Sequence, residues 1–230
     1  MKIQYFGHSC FLVELENIKV LFDPFIQNNP LAKEAGIDQQ TVHADFICIS
    51  HGHADHIADA YEIAQRCQAK IICSWEIHEW FQKQGIQNTH PMNTGGKWNF
   101  GEFTLHCTVA HHSSGLPDGS YGGNPMGFIL CSTKGNFYYA GDTALTMDMK
   151  LIPMIYPKID FALLPIGDNF TMNYDHAVIA SDFIQCNTII GLHFDTFGFI
   201  LIDHEKAKEA FTQKGKNLFL PKAGMIFSIG

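Results

Sequence analysis

The sequence predicts an α/β protein. Three observations predict it. Short apolar runs with strand character open the chain; further runs of this kind then alternate with helix-like segments, twice over. Hydrophobic residues make up 46% of 230 positions, 19 of them Phe, which is enough for a sizeable core. Periodicity alone says mixed α and β and no more. No low-complexity tract, linker or exact repeat divides the chain, so it reads as a single domain over residues 1–230.

Ile3 and Tyr5, then Phe11 and Val13, mark strands interrupted at Gly7-His8-Ser9-Cys10. Lys19-Val20-Leu21-Phe22 is a third short strand, ending at Asp23-Pro24. Residues 27–44 are polar and mixed and read as a long loop with room for a helical turn. Phe46-Ile47-Cys48-Ile49 is short enough to be a buried strand, and a helix-like segment, 57–64, lies beyond it. Lys70-Ile71-Ile72-Cys73 is a strand; Ser74 is the N-cap of a helix running to about Gln84, stopped by Gly85. Residues 101–110 alternate as Phe103, Leu105, Cys107 and Val109, a strand with one wet face. Residues 113–126 carry too many Gly and Pro for a regular element. They are either a mobile flap, with Leu116 and Tyr121 as contacts, or an ordinary surface loop. Strands at 127–131 and 136–140 meet at a Lys134-Gly135 turn. Strands at 161–165, 188–192 and 225–229 alternate with helices at 175–185 and 204–214, the latter starting behind Asp203.

The chemistry concentrates in Ser50-His51-Gly52-His53-Ala54-Asp55-His56, on the turn between a strand and a helix. His51 and His53 are two apart, so in extended chain both rings project the same way and can clamp one ion. Asp55 and His56 follow where the chain turns, within reach of a second. Imidazole and carboxylate donors suit zinc, iron and manganese. Asp23, at a strand end, is placed to accept a hydrogen bond from a ligand histidine's other nitrogen and fix its tautomer. A purification tag is excluded as the source of the histidines, because the stretch is internal.

Composition narrows the setting. No run approaches the ~20 apolar residues of a membrane span, and Met1-Lys2-Ile3-Gln4-Tyr5 lacks the apolar core of a secretion signal. Seven cysteines, an odd number with no CxxC pair, read as free thiols in a reducing compartment, so the expected location is the cytoplasm. A formal net charge of −8 argues against a nucleic-acid partner held by a broad basic surface. It leaves a small-molecule substrate as the expected partner. No membrane partner is expected, and a homo-oligomer is left open.

His-x-His-x-Asp-His after an apolar strand resembles the signature of the metallo-β-lactamase superfamily. The resemblance implies a four-layer αβ/βα sandwich, two mixed sheets flanked by helices. It also implies three further ligands downstream, in the order His, Asp, His. Thr108-Val109-Ala110-His111-His112-Ser113 looks like the Thr-x-Ala-x-His-Ser run of small metal-dependent hydrolases of the superfamily, which favours His112 over its neighbour His111. Asp142 follows the strand at 136–140 and His193 the strand at 188–192. On this pattern His51, His53 and His112 hold one divalent metal ion and Asp55, His56 and His193 the other. Asp142 and a water would bridge ions ~3.5–4 Å apart. Zinc is the first choice, with manganese or iron as alternatives.

The match is best to the compact branch that includes ascorbate-6-phosphate lactonase-like proteins. Their Gly-His-Ser/Ala run near the N-terminus is similar to Gly7-His8-Ser9, which marks His8 as a substrate or transition-state contact. A similar loop brings in Asp168 as a substrate contact. Asp55, Asp142 and His8 are thus the residues assigned to catalysis, and Asp23, Asp168 and His111 surround them. The implied function is dinuclear hydrolysis of a small ester, lactone or phosphoester by a metal-bridging hydroxide. Phosphodiesterase or nuclease action on the same fold is the alternative. Diiron oxidoreductases of the superfamily usually carry Glu where this chain has His53, and non-catalytic scaffolds lose ligands; neither feature is present.

Overall fold

The structure, a computed structural model, describes residues 1–229. Two seven-stranded mixed sheets face each other. In the first, β1 (Lys2–Gly7), β2 (Cys10–Leu15) and β3 (Ile18–Phe22) form an antiparallel meander. Next to β3, β4 (Phe46–Cys48), β5 (Lys70–Ser74) and β6 (Thr89–Met92) add in parallel. In the second sheet, β7 (Lys97–Asn99), β8 (Phe103–Val109), β9 (Met126–Ser132) and β10 (Gly135–Tyr139) are antiparallel neighbours. β11 (Phe161–Pro165), β12 (Thr188–Leu192) and β13 (Asn217–Phe219) then continue in parallel from β10. The last strand, β14 (Ile226–Ser228), returns to the first sheet and pairs with β1.

Parallel neighbours need crossovers, and helices supply them. α1 (Pro30–Glu34) lies between β3 and β4. α2 (Ala54–Ile57), α3 (Ala60–Cys67) and α4 (Trp75–Lys83) serve the first sheet; α5 (Ile152–Ile155), α6 (Tyr174–Phe183) and α7 (His204–Thr212) serve the second. Capping fixes several starts: Ser74 Oγ accepts from Ile77 N at 3.3 Å, Asn173 from His176 N and Asp203 from Lys206 N.

The central strands are buried on both faces, which is why they read as apolar runs. Val20, Phe22, Cys48 and Ile72 point between the sheets, into a core with Phe11, Phe128, Phe137, Tyr139 and Phe161. Their neighbours Leu21, Ile47 and Ile71 point outward and pack under Ile63, Ile77 and Phe81 of α3 and α4. On the far side, Ala162, Leu164 and Ile189 pack under Ala177 and Phe211 of α6 and α7. Four layers result, helix, sheet, sheet and helix.

The expected helix over 57–64 is broken in two. Asp59 sits between α2 and α3, and its carboxylate accepts hydrogen bonds from the backbone N–H groups of Ile26 and Gln27. The break ties the loop after β3 to the turn that carries the histidines. β6 and β7, which alternation did not predict, are the outermost strands at one edge of their sheets. An edge strand tolerates Pro91 and the exposed Trp98, so neither carries the usual signature.

The loop 113–126 is tied to its surroundings by hydrogen bonds. Gly115 pairs with Tyr121, Ser114 Oγ accepts from Gly52 N at 3.0 Å, and Ser74 Oγ donates to Gly122 O at 2.7 Å. Leu116, expected as a contact, is buried beneath Gly52; Tyr121 remains exposed.

Candidate metal centre

Every side chain of the cluster leaves the end of a strand at one rim of the sandwich. β4 delivers His51, His53, Asp55 and His56; β8 delivers His112; β10 delivers Asp142; β12 delivers His193; β3 delivers Asp23. His8 occupies the tight turn between β1 and β2. Two backbone hydrogen bonds join the sheets at this rim: Met126 N to Ser50 O at 2.9 Å, and His193 N to His8 O at 2.9 Å. Gly141, just before Asp142, has φ +63, and a Cβ there would lie 2.7 Å from Met126 O, so glycine is required.

The ligand-type atoms fall into groups. One atom each from His51, His53 and His112 lies within 4.8 Å of the others, and so does one each from His8, Asp55, His56 and His193. Asp142 spans both: its Oδ2 lies 2.9 Å from His193 Nε2, 3.3 Å from His56 Nε2 and 3.7 Å from His112 Nε2. His51 Nε2 faces His53 Nδ1 at 3.0 Å. Asp55 Oδ2 is 3.1 Å from His8 Nε2 and 4.0 Å from His56 Nε2. His51, His56, Asp142 and His193 are buried, whereas Asp55 and His112 keep an open edge.

Asp23 anchors both groups. Its Oδ1 accepts from Ser50 N at 2.7 Å, and its Oδ2 accepts from Ser50 Oγ, Tyr139 Oη and His56 Nδ1, the last at 2.8 Å. Because Ser50 Oγ donates to Asp23, it accepts from His51 Nδ1 at 2.9 Å. One carboxylate therefore sets the tautomer of His56 directly and of His51 through a hydroxyl, leaving both Nε2 atoms free to bind a cation. Sequence reading placed Asp23 but missed Ser50 and Tyr139. Tyr139 carries no local signal, since it looks like one more apolar strand residue.

Electrostatics keep three of the histidines ready for metal and leave a proton on His56 for metal to displace. Burial holds His51, His53 and His112 below the ordinary imidazole range, so their lone pairs are available. Burial alone would do the same to His56. The carboxylates of Asp142, Asp55 and Asp23 outweigh it and raise His56 well above that range. Asp142 and Asp55 resist the upward push of burial. His193 and His56 hold Asp142 low, and His56 and His8 hold Asp55 low. Without a cation, three buried atoms of the cluster, His56 Nε2, Asp142 Oδ1 and His193 Nδ1, have no hydrogen-bond partner. Buried orphans of this kind cost free energy, and divalent metal is the group that imidazole and carboxylate donors so arranged would satisfy.

Three other candidates differ in their placement. His111 turns away from the cluster: its ring is exposed and faces Asp148 at 3.3 Å, because alternation along the chain sends neighbours to opposite sides. His8 is fully buried beside the cluster, with one ligand-type atom within 4.8 Å of those of Asp55, His56 and His193. Asp168 is exposed on the loop after β11, whose Gly167 packs against His193 O, and it makes no side-chain contact with the cluster.

Comparison with known proteins follows the same lines. A model of the beta-lactamase superfamily domain matches residues 19–194. A protein of Methylacidiphilum infernorum named UPF0173 metal-dependent hydrolase is 52% identical over 211 residues, 92% of this chain and 92% of its own. Its namesake in Christiangramia forsetii is 50% identical over 224 residues, 97% of this chain and 98% of its own. Among solved structures, Igni18, described as a metallo hydrolase of the archaeon Ignicoccus hospitalis, is similar with a TM-score of 0.87. It is 31% identical, with 100% of this chain and 99% of that one covered.

Proposed function

The chain belongs to the metallo-β-lactamase superfamily and is a metal-dependent hydrolase, and from that premise we propose that it binds two divalent ions, zinc first, and cleaves a small neutral ester or lactone. The observation that carries the reading is Asp142, whose Oδ2 reaches histidines of both groups. His51, His53 and His112 would hold one ion, Asp55, His56 and His193 the other, with Asp142 between them. Two carboxylates against four positive charges leave about +2 at the centre before solvent ionises. Ions so held would supply Lewis acidity and lower the pKa of bound water, so hydrolysis would need no Ser or Cys nucleophile.

The protein's own part is to aim, to shield and to admit. Asp23 fixes His56 and, through Ser50, His51. Core residues exclude water from behind the cluster, and the open side is that of Asp55 and His112. Beside His112 lies a cavity of about 410 Å³, lined by Ser113, Ser114, Ser120, Tyr121 and Asn124 among glycines. It has hydroxyl and amide groups but no Lys or Arg. A phosphomonoester would bring negative charge to a wall with no cation to meet it, so a neutral acyl substrate fits better. The seven cysteines are all free, and no helix among the described residues is long and apolar enough to cross a membrane. The free thiols favour a reducing compartment, in line with the cytoplasm.

The test is elemental analysis of the purified protein beside hydrolysis of a matched panel, a neutral lactone, a thioester and a phosphodiester. Two equivalents of metal, with activity on the lactone that a chelator abolishes and zinc restores, support the reading. Ester hydrolysis that survives metal removal refutes it.

A further inference from the structure

His8 has the surroundings of a ligand. Phe25 and Phe197 close over its ring edge-on, at centroid distances of 5.7 and 5.4 Å. Its backbone is left-handed, φ 60, and so is that of His193, φ 54. Such conformations persist only where surrounding structure enforces them, and they gather at functional sites. Here the enforcement is explicit. His8 O accepts from Tyr5 Oη at 3.0 Å and from His193 N at 2.9 Å, so the two strained histidines are clasped to each other. Gly7, at φ +102, admits the turn.

The clasp aims the ring. One face of its chemistry, Nδ1, lies 2.9 Å from Thr196 Oγ1, and that hydroxyl lies 3.2 Å from Phe194 O. With the hydroxyl hydrogen on the carbonyl, Thr196 accepts from Nδ1–H, and the Nε2 lone pair is left to face inward. Ligating histidines ordinarily donate their other ring N–H to a fixed oxygen. His51 does so to Ser50, and His56 to Asp23. Nε2 of His8 lies 3.1 Å from Asp55 Oδ2, and one ligand-type atom of His8 falls within 4.8 Å of those of Asp55, His56 and His193. A lone pair turned toward a carboxylate is unfavourable unless a cation sits between them.

Resting on the two-ion reading, we infer that His8 is a further ligand of the ion held by Asp55, His56 and His193. That cage then has four side chains besides Asp142; the other has three. The richer cage binds its ion more tightly and fills first.

The experiment uses the full-length protein stripped of metal and titrated with zinc or cobalt(II) against a competing chelator. Wild type should take up two equivalents in separate steps. His8→Gln should weaken one step by at least the ~10–100-fold that follows loss of a ligating histidine's partner. It should also intensify the visible cobalt band of that site, because bands strengthen as coordination number falls. Thr196→Val leaves the imidazole in place and should weaken the same step, so the inference stays testable should His8→Gln fail to fold. Unchanged affinities and an unchanged cobalt spectrum in whichever of these variants folds would overturn it. A wild type that takes up one equivalent refutes the two-ion reading instead. If His8→Gln then loses that equivalent, ligation by His8 stands; if it keeps it, both fall.

Discussion

Replacing Asp23 by Asn changes one atom and tests the anchoring of both histidine groups. Asp23 is fully buried, and its two oxygens accept four hydrogen bonds. An amide keeps one acceptor. With its oxygen at the Oδ2 position it preserves the bonds from Ser50 Oγ, His56 and Tyr139, and turns its NH₂ against Ser50 N–H. Two buried donors then lack acceptors, at about 1–3 kcal/mol each, or about 2–6 kcal/mol together. The middle of that range, about 4 kcal/mol, lowers the melting temperature of a chain this size by ~8–16 °C. His56 also loses a charge-assisted acceptor, and loss of such a partner lowers metal affinity by ~10–100-fold. The assay is thermal melting of metal-free wild type and variant, followed by zinc competition against a chelator. Asp23→Asn that melts with wild type and binds zinc as tightly would refute the claim that this carboxylate orients the ligands.

Four other outcomes are expected. Asp142→Ala should lose metal and hydrolysis together, because one carboxylate serves both groups; retention of two equivalents by elemental analysis would contradict the assignment. Metal uptake should release a proton at neutral pH, since the carboxylates hold His56 protonated above the ordinary range when no cation is bound. Zinc affinity should therefore rise with pH by about tenfold per unit below the raised pKa of His56, which calorimetry in buffers of different ionisation enthalpy can read. Chelation should lower the melting temperature: an ion present at 1,000 times its Kd stabilises the fold by ~4.1 kcal/mol, a shift of ~8–16 °C. Gly127→Ala should destabilise by about 1–3 kcal/mol without changing metal content, because the added Cβ would lie 2.6 Å from Thr108 Oγ1 and 2.9 Å from two backbone carbonyls. A denaturant midpoint equal to wild type would show that the strands shift freely.

What was legible in the sequence was local. His51 to His56 fall within six residues, so their convergence is written in the chain itself. β4, β5, β11 and β12 are buried on both faces and announce themselves as apolar runs. His112, Asp142 and His193 were legible as strand-end residues in the order the resemblance required. Their approach to one point depends on two sheets closing on each other, which no spacing encodes. His8 was found, but its surroundings were not. Its burial comes from Phe197 and its aim from Thr196, 188 residues away. The outermost β6 and β7 hid behind Pro91 and Trp98, and the split at Asp59 answers to Ile26 and Gln27 rather than to neighbours in sequence.

Each cage is shared between the two halves of the chain. The first sheet's strands bring His51, His53, Asp55 and His56; the second sheet's bring His112, Asp142 and His193. A cut between β6 and β7 would therefore leave two fragments, each with an unfinished set of metal donors. Metal captured at full stoichiometry would report that the fragments had found one another, and the loaded ions would in turn act as rivets between them. Loading and assembly are on this view a single event, and conditions that strip the one should loosen the other.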